Sequence, residues 1–300
     1  MKAVQYDVHG GPDVLHLAEV EVPEPGAGQV RIRVRTAGVN PIDGKLRSGN
    51  AWPVPLPATA GVEAAGVVDA LGPGVDGLAV GQEVLGPTAT GSYAEYALSD
   101  RMVAKPSGLP WDVAAAIPVA AETALRVLRL LDLSAGETLL IHGASGAVGL
   151  MAAQLARAAG ATVLGTAGAA GRDRLTGLGI TATSYGDGLV DRVRQLAPNG
   201  VDAVFDAAGK GALPDSITLR GGTDRIVTIA DPNAAEYGVL FTGGPEVMIE
   251  ATEVARVAER VAAGDLTVPV ARRYPLAEAA AAQQRSDSGH AGGKLILTVD

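Results

Sequence analysis

Three hundred residues, 47% of them hydrophobic, carry a formal net charge of −9 and no cysteine. That balance excludes nucleic acid or an anionic membrane surface as the main partner. The absence of thiols excludes disulfides, a thiolate nucleophile and any cysteine-ligated zinc.

The length suggests about two domains, and the apolar fraction is ample for their cores. The opening Met1-Lys-Ala-Val-Gln-Tyr6 reads as a strand and not as a secretory signal, since no apolar segment follows a basic start. No uninterrupted apolar run is long enough to span a bilayer. A cytoplasmic protein fits these features. Residues 1 to about 105 are rich in valine, glycine and proline and read as irregular β structure. Gln29-Val-Arg-Ile-Arg-Val-Arg35 alternates apolar and basic residues, as a half-buried strand does. Residues 61–70 form another strand candidate, closed by the turn Gly72-Pro-Gly74.

The composition changes near Trp111. Residues 112–131 are rich in alanine and leucine and predict helix, broken near Pro118. From Glu137 onward, strand candidates at 138–142, 162–166, 201–206 and 225–230 alternate with helical segments, the pattern of parallel βαβ units. The first of those helices, over 147–159, stops at Gly160. Residues 245–263 predict one more helix, and Leu295-Ile-Leu-Thr-Val299 a last strand that rejoins the first domain.

Thr138-Leu-Leu-Ile-His142-Gly143-Ala-Ser-Gly146-Ala-Val-Gly149 is the most informative stretch. An apolar strand, a glycine turn and a helix start together make a cradle for a dinucleotide pyrophosphate. Backbone N–H groups there lack intrahelical partners, the helix dipole favours an anion, and glycine lets the phosphate approach. The expected contacts are Gly143, Ser145, Gly146, Ala147, Val148 and Gly149. A structural turn is the alternative, and the strand before and amphipathic helix after speak for binding.

The next strand runs through Thr166 into Ala167-Gly168 without the acid that would accept from the ribose of NAD. A 2′-phosphate fits there without repulsion, with Arg172 and Arg174 just beyond to pair with it, so NADP(H) is the expected cofactor. Either arginine taken singly is equally a solvated helix turn. Asp206, at the end of a later strand, either faces the ligand crevice or caps a turn.

Several spaced stretches carry a resemblance. They are Ala37-Gly-Val-Asn40-Pro-Ile-Asp43-Gly-Lys45-Leu-Arg47-Ser-Gly49, Pro57-Ala-Thr-Ala-Gly61-Val-Glu63-Ala-Ala-Gly66, Gly91-Ser-Tyr93-Ala-Glu95-Tyr96, Glu122-Thr123-Ala124, the glycine loop, Tyr274-Pro-Leu-Ala-Glu-Ala, and Gly293-Lys294-Leu-Ile-Leu. The chain resembles the zinc-free quinone oxidoreductase (zeta-crystallin-like) branch of the medium-chain dehydrogenase/reductase superfamily. The resemblance implies an α/β fold: a GroES-like β-rich catalytic domain over 1–119 and 266–300, around a Rossmann doubly wound parallel-sheet domain over 120–265. It implies that Thr123 and Asn40 face the nicotinamide, that Tyr185 and Lys294 lie near the adenosine phosphate, and that the chain forms a dimer or tetramer, of which a homodimer is the expected state. Zinc-dependent relatives carry cysteine where Asn40 stands and histidine where Val62 stands, beside the glutamate matched by Glu63. Both ligands are gone, and none of His9, His16, His142 and His290 has helical ligand spacing from another, so no metal site is expected.

Without a Lewis acid, alcohol oxidation lacks its route to an alkoxide. Hydride addition to a quinone or an enone asks only for donors to a conjugated oxygen. Lys45 is the first candidate donor, against a plain solvent-facing lysine. Asn40 either donates through its amide or caps a turn. Thr123 either holds the nicotinamide carboxamide or caps a helix. Asp43 either orients Lys45 or Asn40 or serves the turn. Trp52, in a proline-rich stretch, either stacks on the substrate ring or packs for its own sake. The leading reading is a zinc-independent, NADPH-dependent reductase of quinones or related activated carbonyl compounds. An enone or alkenal double-bond reductase and a non-catalytic NADPH-binding structural or sensor protein are the alternatives.

Overall fold

The computed structural model describes residues 1–243, 249–289 and 291–299. His290 and the first residues of the helix expected over 245–263 lie outside the described residues. In chain order, β1 (Lys2–Tyr6) and β2 (His16–Glu19) lead to β3 (Val30–Val39) and helix α1 (Pro41–Arg47). Then come β4 (Ala58–Thr59), β5 (Glu63–Leu71), β6 (Glu83–Pro87), β7 (Tyr96–Ser99), β8 (Val103–Ala104), α2 (Trp111–Ala115) and α3 (Pro118–Leu130). An alternating series follows: β9 (Thr138–His142), α4 (Ala147–Ala158), β10 (Thr162–Thr166), α5 (Ala169–Gly177), β11 (Thr181–Thr183), α6 (Leu189–Leu196), β12 (Ala203–Asp206), α7 (Leu213–Arg220), β13 (Ile226–Thr228) and β14 (Leu240–Phe241). The tail holds α8 (Ala251–Ala262), β15 (Val270–Pro275), α9 (Ala279–Asp287) and β16 (Lys294–Thr298). Among the described residues no helix is long and apolar enough to cross a membrane.

The chain divides into two compact units, Met1–Val119 with Glu250–Asp300, and Ala120–Ile249. The first unit is built on a seven-stranded sheet of order β15-β16-β3-β5-β6-β8, with β7 also paired to β3, and on a small sheet β2-β1-β4. Its pairings are antiparallel except β15 with β16. The alternation of β3 sends Val30, Ile32 and Val34 inward and leaves Arg33 and Arg35 exposed. Those apolar side chains join Val68, Val84, Tyr93, Leu295 and Leu297 in one core. In the β16–β3 register Leu295 faces Val39 and Leu297 faces Ala37, so the last strand does rejoin the first domain.

Residues 250–265, expected with the Rossmann part, fall in the first unit instead. Helix α8 packs on β8 there, and Val261 lines an apolar groove with Leu109, Val113 and Leu266. Its amphipathic pattern asks for an apolar partner and does not say which sheet supplies it.

The second unit is a six-stranded parallel sheet of order β11-β10-β9-β12-β13-β14. Leu139, Leu140 and Ile141 of the central β9 are fully buried, as a strand covered on both faces requires. Strand order reverses at β9, whose neighbours are β10 and β12, so its carboxyl end is the topological switch point where such sheets bind ligands. Strands β11 and β14, at three and two residues, are too short to declare themselves by alternation.

Candidate functional site

The glycine loop occupies that switch point. Gly143 leaves β9 with φ +71°, a conformation that favours glycine. Gly146 is the N-cap of α4, and the first intrahelical bond runs from Leu150 N–H to Gly146 O at 2.8 Å. The N–H groups of Ala147, Val148 and Gly149 lie ahead of it, where an anion can accept from them. A Cβ on Gly149 would drive into the carbonyl oxygen of Gly143, so only glycine lets the first turn of the helix settle on the loop. Ser145 packs its side chain against Gly171 in the first turn of α5.

Behind the loop the side chains are spent on structure. Thr166 is buried, and its hydroxyl lies 3.4 Å from both Gly143 N and His142 Nδ1. His142 Nε2 lies 3.0 Å from the Ser216 hydroxyl, which itself donates to Ala212 O at 2.7 Å. The imidazole is therefore the Nε2–H donor to Ser216. Burial lowers its pKa against the opposing pull of Asp206 and Asp215, which keeps the ring neutral. Asp206 has no exposure; one carboxylate oxygen accepts from the N–H groups of Ala208 and Gly209 at 3.0 Å and the other from Thr228 Oγ1 at 2.8 Å. Asp206 thus shapes the 207–209 loop that abuts Gly143.

The far end of β10 gathers the groups expected for a 2′-phosphate. Arg172 stands in the first turn of α5, and its guanidinium lies 3.3 Å from Ala167 O. The Tyr185 hydroxyl reaches to 4.0 Å from where a Cβ on Gly168 would sit, and the ring is 62% exposed. Arg174 lies further along the same helix.

In the first unit a second polar centre forms where β3, α1, β5 and β16 meet. Asn40 starts α1: its N–H donates to Asp43 Oδ2 at 2.8 Å and its carbonyl accepts from Asp43 N–H at 3.1 Å. The Asn40 amide donates to Glu63 Oε1 at 2.7 Å, and its oxygen accepts from the Lys294 ammonium at 2.5 Å. Lys294 also pairs directly with Glu63, whose other oxygen accepts from Val119 N–H at 2.7 Å. Exposure is 5% for Asn40, 2% for Lys294 and nil for Glu63, so the three groups satisfy one another out of water. Gly38 makes the room, since a Cβ there would collide with the Glu63 carboxylate.

This corrects the place of Lys294. Its charge is committed to a buried carboxylate in the first unit. Glu63 was missed as a site residue. The signal was two lone opposite charges, each opening an apolar strand, Glu63-Ala-Ala-Gly-Val-Val and Lys294-Leu-Ile-Leu.

Asp43 also accepts from the Tyr93 hydroxyl at 2.8 Å. Burial pushes the Asp43 carboxyl up from 3.8 to about 7, against the hydrogen bonds from Asn40 and Tyr93 that favour its charge. Lys45, two residues on, is half-buried, makes no ion pair among the described residues, and has its pKa lowered by burial. Arg47 anchors α1 to α9 through Gln283 and through Asp287 at 2.9 Å. Trp52 is 45% exposed. Thr123 lies in the second turn of α3, not at its cap, and its hydroxyl contacts Glu122 at 3.3 Å.

Family models match two stretches: the alcohol dehydrogenase GroES-like domain over residues 26–107 and the zinc-binding dehydrogenase over 180–297. The chain is 34% identical over 320 residues to the quinone oxidoreductase of Lama guanicoe, covering 99% of this chain and 97% of that protein. It superposes on the structure of Escherichia coli quinone oxidoreductase complexed with NADPH with a TM-score of 0.89, at 26% identity and with all of both chains covered. It superposes equally fully on a crystal structure of an NAD-dependent alcohol dehydrogenase with a TM-score of 0.87 at 29% identity, covering all of both chains.

The residues present do not fit a catalytic zinc. Asn40 offers an amide oxygen and no thiolate, and the chain has no cysteine to replace it. Its oxygen and that of Glu63 already hold an ammonium, the charge a metal would otherwise provide. Among the described residues no three histidine, cysteine, aspartate or glutamate side chains form a group able to hold a metal ion.

Proposed function

The chain belongs to the quinone oxidoreductase family of the medium-chain dehydrogenase/reductase superfamily, and from that membership we propose that it reduces quinones or related activated carbonyl compounds with NADPH. The observation that carries the coenzyme choice is local, since the chain superposes both on an NADPH-complexed quinone oxidoreductase and on an NAD-dependent alcohol dehydrogenase. Arg172 lies against Ala167 and the Tyr185 hydroxyl near Gly168, beyond a β10 terminus that has no carboxylate, on the same sheet end as the glycine loop. That arrangement accepts a 2′-phosphate and lacks the acid that would prefer a ribose hydroxyl.

When bound, the coenzyme supplies the hydride. The chain supplies position and charge. Amides of the α4 first turn hold the pyrophosphate, Arg172 and Tyr185 the 2′-phosphate, and Thr123 the nicotinamide side. The second amide hydrogen of Asn40 and the Lys45 ammonium donate to the oxygen on which charge develops. Asp43 sets the start of α1 that carries both. Trp52 offers its exposed face to the ring of the acceptor.

The protein works as a homodimer in the cytoplasm. Supporting the first, β14 is an edge strand whose Leu240 and Phe241 are 49% and 47% exposed, next to Tyr237 at 39%. Supporting the second, a chain without cysteine needs no oxidising compartment. Steady-state oxidation of NADPH against a panel of quinones and enones tests the activity. Quinones turn over with the higher kcat/KM on this reading, and turnover of enones alone would assign the chain to double-bond reduction.

A further inference from the structure

We propose that Arg192 is a specificity-determining positioning residue, which holds the loop of residues 184–187 so that Tyr185 meets the 2′-phosphate of NADPH. The inference rests on the coenzyme reading above and adds a residue that touches no part of the ligand.

The loop Ser184-Tyr185-Gly186-Asp187-Gly188 joins β11 to α6. Two of its glycines take left-handed conformations, with φ +84° at Gly186 and φ +73° at Gly188. A segment of this composition loses much backbone entropy on ordering and does not hold a tyrosine in place unaided. Arg192, in the first turn of α6, reaches back over it. One guanidinium nitrogen donates to Asp187 O at 2.6 Å. The other lies 3.2 Å from Ser184 O, 3.1 Å from Gly186 O and 3.5 Å from Tyr185 O.

Four consecutive carbonyls thus converge on one planar cation, a task that suits the fixed fork of arginine and not the point charge of lysine. A side chain at residue 188 would crowd that fork, since a Cβ there would lie 3.1 Å from it. Among the described residues Arg192 has no carboxylate partner, so its full charge is spent on the loop. Tyr185 itself is mostly exposed, and among the described residues its hydroxyl has no hydrogen-bond partner, as expected for a side chain aimed at a ligand.

The two coenzymes differ at this spot alone. NADPH uses the Tyr185 hydroxyl, whereas NADH presents only a ribose hydroxyl there. Loosening the loop therefore weakens NADPH and spares NADH.

The test is a fluorescence titration of both coenzymes with the wild type, Arg192→Met, Tyr185→Phe and the double variant. Arg192→Met is expected to raise the Kd for NADPH about tenfold, the size of one charge-assisted hydrogen bond, and to leave that for NADH within about twofold, which also reports an intact fold. If Arg192 acts through Tyr185, the double variant loses no more than the weaker single variant. Equal weakening of both coenzymes, an unchanged preference for NADPH, or additive losses in the double variant would each overturn the assignment. A wild type that binds both coenzymes equally would instead remove the 2′-phosphate reading beneath it.

Discussion

The Lys294 ammonium lies 2.5 Å from the Asn40 amide oxygen, across 254 residues of sequence. Glu63 closes the triangle, so the amide cannot flip without facing two oxygens together or setting its N–H groups against the ammonium. Asn40 is thereby oriented by a buried ion pair, and its remaining amide hydrogen has one direction to point.

That arrangement predicts a large, rescuable loss of stability. Lys294→Met leaves the buried Glu63 carboxylate without its counter-charge, at a cost of about 3–5 kcal/mol. Adding Glu63→Gln removes the stranded charge and returns most of the loss, read as urea midpoints of the two variants. A double variant no more stable than Lys294→Met would show that the pair does not act as one.

Asp43 predicts a pH signature with a defined sign. Its carboxyl is raised from 3.8 to about 7, so the folded state favours the protonated form. The contribution is complete below the unfolded value and is lost as pH climbs through the folded one. Across that window the wild type should fall relative to Asp43→Asn by about 1.4 kcal/mol per pH unit. Urea denaturation of both proteins at matched pH values checks it, and a constant difference would refute it.

Gly149→Ala should damage the loop more than a methyl group ordinarily does in a helix. Alanine is elsewhere the better helix former by about 1 kcal/mol, but here its Cβ meets backbone at Gly143 and Ala144. We expect a lower Tm together with at least tenfold weaker binding of either coenzyme. A raised Tm with normal binding would mean that the loop has slack the geometry does not show.

Lys45→Met should lower kcat on the order of a hundredfold, the scale of one lost donor to a developing oxyanion. Coenzyme affinity should hold, since the proposed role of Lys45 is donation to the acceptor's oxygen and not to the nucleotide. Turnover at the wild-type rate would leave Lys45 an ordinary half-buried side chain.

What was legible in the sequence was local. The glycine loop, its strand and helix, and the missing acid after Thr166 depend on neighbours within a few residues. So do the break at Pro118, which stands first in α3, and the stop at Gly160 with φ +91°. What was not legible depends on pairing across the chain. The partner of Lys294 is fixed by the register of β16 on β3, which no local pattern reports. The hydrogen bond that Asp206 accepts from Thr228, on the neighbouring strand, is likewise set by strand pairing and not by any local pattern. The place of α8 turned on which apolar surface lay nearest.

The most direct test of the whole account is an anaerobic single-turnover experiment, in which the protein loaded with NADPH is mixed rapidly with a simple quinone. Loss of the reduced-nicotinamide signal with one hydroquinone formed per NADPH is the predicted result. Tight binding of NADPH with no oxidation by the quinone would contradict it.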